Sequence, residues 1–286
     1  MQKIIISNTD GETITLSNQA PYFLEKLEGA GEVAVAVESQ KAPHQDGSTY
    51  MDNTLENRYL TLEGTIVTRG DEKAVKEARG KMQRVLNPKA GEVVVRYQDK
   101  EITALAESTP VFPGGQGNKG LFYQKFLLHL VCHQPFWLDT VAKTQPMAAW
   151  LGGLVFPMEI DPSMSFEETG DVVLIHNNGD VATPVEMEFN GPALNPKIEN
   201  MTTGEYLRIS RELQEGDKLL INTAFGEKKV VLIHKTGGEE NAFHWLDLES
   251  VFWSLKVGSN AVKYSADEGQ EDATVLIKWQ EMFVGV

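Results

Sequence analysis

The chain has 286 residues, enough for two domains of about 130–150 residues each, and it is 41% hydrophobic, enough for packed cores. Its longest apolar runs, such as Phe126–Val131, fall far short of the ~20 residues a membrane-spanning helix needs, and MQKIIISNTDGE at the N-terminus lacks a signal-peptide pattern. The single cysteine, Cys132, excludes an internal disulfide framework and fits synthesis in a reducing cytoplasm. The formal net charge of −15 is unevenly spread: residues 1–135 carry 15 Lys and Arg against 17 Asp and Glu, and residues 136–286 carry 11 against 24. That excess argues against wrapping nucleic acid, which requires clustered cations, and suits a solvated acidic face.

In chain order, residues 2–6 and 12–16 are β-branched runs around Ser7-Asn8-Thr9-Asp10-Gly11, which predicts a hairpin with Asp-Gly in the turn. Tyr22–Gly31 is mixed in character. Glu32–Ser39 alternates Val33, Val35 and Val37 with Ala34, Ala36 and Glu38, the period of a half-buried strand. Gln40–Asn57 is polar with Pro43 and Gly47, and it reads as a long loop of the kind that is functional or partner-bound, ordering on assembly. Arg58–Thr68 predicts a strand, with Leu60, Leu62, Gly64 and Ile66 on one face. Residues 71–86 predict the one helix: Asp71 as N-cap, Glu72 at the positive end of the dipole, and Ala74, Val75, Ala78, Met82, Val85 and Leu86 on one stripe, ending at Asn87-Pro88. Gly80 weakens its middle, and its expected use is to let a neighbouring strand approach.

Glu92–Tyr97 and Glu101–Ala106 predict a second hairpin. After the Gly-rich run 114–120, Leu121–Trp137 predicts a long buried strand stopped by Pro135 and followed by Phe136 and Trp137, an expected domain junction whose Pro-aromatic knuckle sets the angle of the next domain. Beyond it, Trp150–Pro157 is punctuated by Gly and Pro. Short runs follow at 171–176, 185–189, 194–199, 205–209, 218–222, 228–234, 254–257, 261–264 and 273–283, divided by turns that include Gly258-Ser259-Asn260. Regular short strands of this kind predict a β-sandwich.

The candidate chemistry is thin. Gly115-Gln116-Gly117-Asn118-Lys119-Gly120 matches the dinucleotide fingerprint, but that motif works between a strand and a helix, and a strand follows here. His129 and His133 lie four apart, roughly 13 Å on a strand, too far for one metal, and Cys132 points to the opposite face. His176, His234 and His244 flank strands with no ligand spacing. Paired carboxylates at about 5–9.5 Å could hydrolyse glycosides, but 41 acids make such pairs uninformative. No Ser sits in a nucleophile elbow. Trp245, Trp253 and Trp279 are candidates either for sugar stacking or for the core. No catalytic, cofactor or metal site is expected.

The order of several motifs resembles one family. They are Gln45-Asp46-Gly47-Ser48-Thr49-Tyr50, the strand Arg58–Ile66, the helix ending at Leu86-Asn87-Pro88, Cys132-His133-Gln134-Pro135-Phe136-Trp137, Phe252-Trp253-Ser254-Leu255 with Gly258-Ser259-Asn260 and Tyr264, and Val275–Trp279. Together they are similar to the siphovirus-type distal tail proteins of bacteriophages and related prophage tail tips. Gln134 stands where relatives often carry an acid, and Gly258 is displaced from the usual turn glycine. The resemblance implies a mainly β fold with one helix: a ring-forming N-terminal β domain (1–135, helix 71–86) and a galectin-like C-terminal β-sandwich (136–286). It implies a non-enzymatic structural protein of the virion tail tip, made in the bacterial host cytoplasm. The implied assembly is a homo-hexameric ring between the tail tube protein and the tail-tip hub or tail-associated lysin protein. The ring would dock receptor-binding protein and pass DNA through a neutral to mildly acidic channel, without sequence-specific nucleic-acid binding or membrane contact. The alternatives are a carbohydrate-binding tail protein that grips wall polysaccharide through Trp245 or Trp253, and, third, a glycoside hydrolase.

Overall fold

The computed structural model describes residues 2–69, 72–148, 172–269 and 272–286. It is mainly β, and α1 (Glu72–Val85) is the α-helix among the described residues. Compactness divides the chain into Met1–Thr140 with Phe283–Val286, and Val141–Met282. This division falls a few residues beyond the expected 135/136 boundary and returns the last four residues to the first unit. The expected N-cap Asp71 and the segment Trp150–Pro157 lie outside the described residues.

The first unit contains β1 (Ile4–Asn8), β2 (Thr13–Leu16), β3 (Tyr22–Glu28), β4 (Val35–Gln40), β5 (Thr49–Leu55), β6 (Arg58–Val67), β7 (Val93–Tyr97), β8 (Lys100–Ala106), β9 (Tyr123–Cys132) and β10 (Trp137–Asp139). Its main sheet runs β2-β1-β7-β8-β9-β6-β3. A bridge between Ser17 and Phe23 joins the two ends of that path, so the sheet curls back on itself. β6 and β9 pair over ten residues, from Arg58 opposite Cys132 to Val67 opposite Tyr123. Alternation fixes what faces inward: Leu60, Leu62 and Ile66 from β6 meet Phe126, Leu128 and Leu130 from β9, with Ile4, Ile6, Val93, Val95 and Ile102 from neighbouring strands. Gly64 completes the β6 stripe because a Cβ there would stand 2.1 Å from the Phe23 carbonyl oxygen and 2.5 Å from the Phe126 ring. The helix lays Val75, Met82 and Val85 inward, and the Tyr22 hydroxyl donates to the Ala78 carbonyl at 3.0 Å.

Four local expectations for this unit are corrected. Tyr22–Glu28 is a strand; a bulge between Leu24 and Lys26 breaks the period of two that would have disclosed it. Val35 and Val37 are exposed, although their alternation suggested a half-buried face. Much of the expected loop Gln40–Asn57 is β5, paired antiparallel to β4. At Gly80 no strand approaches, since a Cβ would meet only the Arg84 side chain, at 3.9 Å.

In the second unit, one sheet orders residues 143–148, 274–279, 186–190, 218–222, 229–233 and 239–241, and the other orders 172–177, 258–265, 197–200 and 205–208. Met187, Phe189, Ile221, Val275 and Ile277 of the first share a core with Ile175, Ile198, Leu207, Val262 and Tyr264 of the second, which defines a β-sandwich. Strand 143–148 contains Pro146 and lies at a sheet edge, where a missing N–H is tolerated. Gly258-Ser259-Asn260, expected as a turn, opens strand 258–265. The buried Asn260 side chain accepts from the Lys256 N–H and donates to the Lys256 and Gly258 carbonyls, holding the tight approach to that strand.

Candidate functional site: an exposed arm and the arginine at its root

β4 and β5 form a two-stranded ribbon that joins no other sheet among the described residues. Directly opposed residues share a face, so Val35 with Leu55 and Val37 with Asn53 define one side. A bulge after Glu38 brings Tyr50 opposite Ser39, so Tyr50 turns toward that same side, and Met51 is left as the extra residue. The Asn53 amide donates to the Tyr50 hydroxyl there. Glu38 and Asp52 are opposed on the other side. The ribbon is therefore amphipathic, yet its apolar face is uncovered: Val35, Val37 and Tyr50 are 48%, 60% and 57% exposed, and Met51 at the bulge is 58% exposed. An isolated two-stranded ribbon is marginal in water, and clustered exposed apolar residues mark an interaction surface.

The root of this arm is fixed by Arg58, which follows it directly. Arg58 is 1% exposed. Its Nε donates to the Pro135 carbonyl at 2.7 Å; its Nη1 donates to the carbonyls of Gly29 at 2.7 Å, Ala30 at 3.1 Å and Glu32 at 2.9 Å; its Nη2 donates to the Val284 carbonyl. Trp137, fully buried, donates its indole N–H to the Ala30 carbonyl at 3.0 Å. At Gly29, φ is +85° and a Cβ would lie 1.8 Å from the Tyr59 carbonyl oxygen, so only glycine brings this carbonyl to the guanidinium. Burial pulls the Arg58 pKa down, with the Cys132 and Glu32 side chains acting in the opposite direction. Burial also pushes the Cys132 thiol up to about 12, against the opposing pull of Arg58, so it is neutral near pH 7 and the carbonyl dipoles, with the Glu32 carboxylate, offset the buried cation.

The residues weighed from the sequence lie apart. Gly114–Gly120 is a turn leading into β9 rather than a helix, with the Asn118 side chain donating to the Gly114 carbonyl at 2.9 Å. His129 faces Thr61 across the sheet, Nδ1 to Oγ1 at 3.5 Å. His176 meets Ser259 at 3.1 Å, His234 sits 3.6 Å from Asp217 and 3.5 Å from Glu240, and His244 lies edge-on to Trp245. No group of three His, Cys, Asp or Glu among the described residues could hold a metal ion. Trp245, Trp253 and Trp279 are buried, and the Arg211 guanidinium covers the Trp245 ring at 4.0 Å, so no indole face is presented to a sugar. The sequence marks Gln40–Asn57 as a partner-bound segment but not as a strand, because its apolar residues stand in a polar setting. Arg58 was legible: it falls on the same even-numbered stripe as Leu60 and Leu62, where a cation must find buried acceptors.

A curled β unit bearing an exposed apolar arm, followed by a β-sandwich, makes this a mainly β protein of two units. Family comparison makes this specific. Residues 9–132 match the phage tail protein RIFT-related domain, and residues 178–283 match the C-terminal domain of the siphovirus-type tail component. The chain belongs to the siphovirus-type tail component family and is a phage tail component. In fold it is similar to the Dit protein of phage SPP1, whose structure is described as a paradigm of hub adsorption apparatus in phages infecting Gram-positive bacteria. The TM-score is 0.69 at 12% identity, over 98% of this chain and 99% of that one. It is also similar to chains of the phage P2 baseplate in its activated conformation: with Ca, TM-score 0.54 at 12% identity over 100% and 99%, and with Sr, 0.54 at 11% over 100% of both. Curated protein sequences give no match.

Proposed function

We propose that the chain is a non-enzymatic connector of the tail tip. Six copies close into a ring that joins the tail tube protein above to the tail-tip hub or tail-associated lysin protein below, docks receptor-binding components and leaves a channel for DNA. The observation that carries this reading is the β4–β5 arm, an amphipathic ribbon with its apolar face exposed in the single chain. A cyclic ring needs two different complementary surfaces on each subunit, and a projecting ribbon supplies one of them. The likeness in fold to a hub protein and to baseplate chains supports the same reading.

Native mass spectrometry of the full chain across a concentration series tests it. With a subunit of 31.7 kDa, a species of about 190 kDa is expected to dominate at high concentration. A closed two-fold dimer as the largest species at every concentration would overturn the ring.

A further inference from the structure

The arm stands on two legs, and one short segment touches both of them. Residues 283–286 belong to the first unit, although the chain arrives there from the second. Phe283 and Val286 pack against the first unit's core, and the Lys100 ammonium lies 4.3 Å from the centre of the Phe283 ring. From that anchor the segment reaches the root of the arm. Val286 donates its N–H at 3.3 Å to the carbonyl of Ala30, on the leg that leads into β4. Val284 accepts from Nη2 of Arg58, on the leg that leaves β5. Gly285, between them in sequence, runs so close to Gly31 that a Cβ would stand 2.7 Å from the Gly31 carbonyl oxygen and 3.2 Å from its Cα.

The ribbon these legs carry has little else to order it. It joins no other sheet among the described residues, and the hydrogen bond nearest its root runs from the Glu56 N–H to the Ala34 carbonyl at 2.9 Å. A two-stranded ribbon is marginal by itself, so the direction of the arm depends on what fixes its legs. Withdrawing the segment would strip an acceptor from the buried guanidinium and a backbone neighbour from Ala30 and Gly31, thereby loosening both legs together. The ten-residue pairing of β6 with β9 involves none of these groups beyond Arg58 itself.

We propose that Phe283–Val286 is a latch on the arm. Docked, it holds the two legs at one spacing and gives the arm one direction; undocked, it lets the ribbon swing as a body about residues 30–34 and 56–58. The latch and the arm form one two-state element, so the state of each biases the other. A held arm loses less entropy when it meets a partner surface, which is the use of such a device in an assembly protein. The latch lies within a single chain and stands independently of the ring.

Hydrogen exchange with millisecond labelling, read by mass spectrometry on the unassembled full chain, tests it. Gly285→Val drives a side chain against Gly31 and should undock the latch. Peptides covering residues 33–57 should then exchange about ten-fold faster or more, while peptides from β6 and β9 keep their rates. Removing residues 284–286, which introduces no clash, should give the same result and serves where Gly285→Val does not fold. In the reverse direction, Glu56→Pro, which deletes the hydrogen bond nearest the root, should speed exchange at Val284–Val286. Arm exchange within about two-fold of wild type in these latch variants, or an equal acceleration in β6 and β9, would overturn the latch. Loss of folding in both latch variants would overturn it as well, because the segment would then be general packing for the whole unit.

Discussion

Replacing Arg58 by Met tests whether the clamp at the root of the arm is what holds the first unit's irregular segments in place. The side chain is similar in length and apolar, so it fills the volume while removing every donor. The carbonyls of Gly29, Glu32 and Pro135 lose the donor that reaches them; Ala30 keeps the Trp137 indole N–H at 3.0 Å and the Val286 N–H at 3.3 Å. At about 1–3 kcal/mol for each buried acceptor stripped, the gross loss is about 3–9 kcal/mol. Relief of the buried guanidinium's desolvation offsets several kcal/mol, leaving a net loss of about 2–4 kcal/mol. That is a large share of the ~5–15 kcal/mol that holds a domain together, and it corresponds to a fall of about 10 °C in melting temperature. Urea unfolding read by pulsed hydrogen exchange and mass spectrometry follows peptides of residues 1–140 and 141–282 separately. The midpoint should drop in the first set alone, and amides near Glu32 and Glu56 should exchange fastest. Arg58→Lys, a compact cation with three donors and no fork, should fall between wild type and Met. A loss below about 1 kcal/mol, or an equal drop in both sets, would refute the clamp.

Two glycines predict opposite signs. Gly64→Ala drives a Cβ into the Phe23 carbonyl and the Phe126 ring and should cost roughly 2–4 kcal/mol, whereas Gly80→Ala should stabilise the helix by up to about 1 kcal/mol in thermal melts. In the second unit Glu281 is 3% exposed; burial alone would raise its carboxyl, but hydrogen bonds from Lys143 at 2.5 Å and from the Asn178 backbone and side chain, both at 2.9 Å, lower it below its ordinary 4.5. A depressed carboxylate contributes stability that is present above the ordinary value and is lost as pH falls through the folded one. The second unit should therefore weaken below about pH 4.5, and Glu281→Gln should be less stable at pH 7 and less acid-sensitive in pH-dependent urea melts. Val37→Asp with Tyr50→Ser, both at exposed positions, should change stability by under about 0.5 kcal/mol while abolishing the higher-mass species in sedimentation.

The regular parts of this fold were legible because their periods are intact. β6 keeps Leu60, Leu62, Gly64 and Ile66 in step, and the helix keeps Val75, Met82 and Val85 on one stripe. Legibility failed wherever one residue interrupted the rhythm or the environment was not the chain's own. The bulge at Leu24–Lys26 hid β3, and Pro146 hid an edge strand. Val35 and Val37 gave a true period of two but a false burial, because alternation reports which side is apolar and not what covers it. Composition concealed β5 for a related reason: Thr49, Asp52 and Thr54 lie on the ribbon's polar side and dilute the apolar signal of Tyr50, Met51 and Leu55. The candidate site lies in these failures. Gly80 follows the same logic, a helix glycine with no packing reason inside its own chain.

The ring itself is tested most directly by electron-microscope class averages of the purified chain at the concentration where the high-mass species dominates. Six-fold rotational symmetry around an open central channel, with a subunit mass of 31.7 kDa accounting for each sixth, is the result the connector account predicts. Closed two-fold particles without a channel, or single subunits at concentrations of tens of micromolar and above, would contradict it.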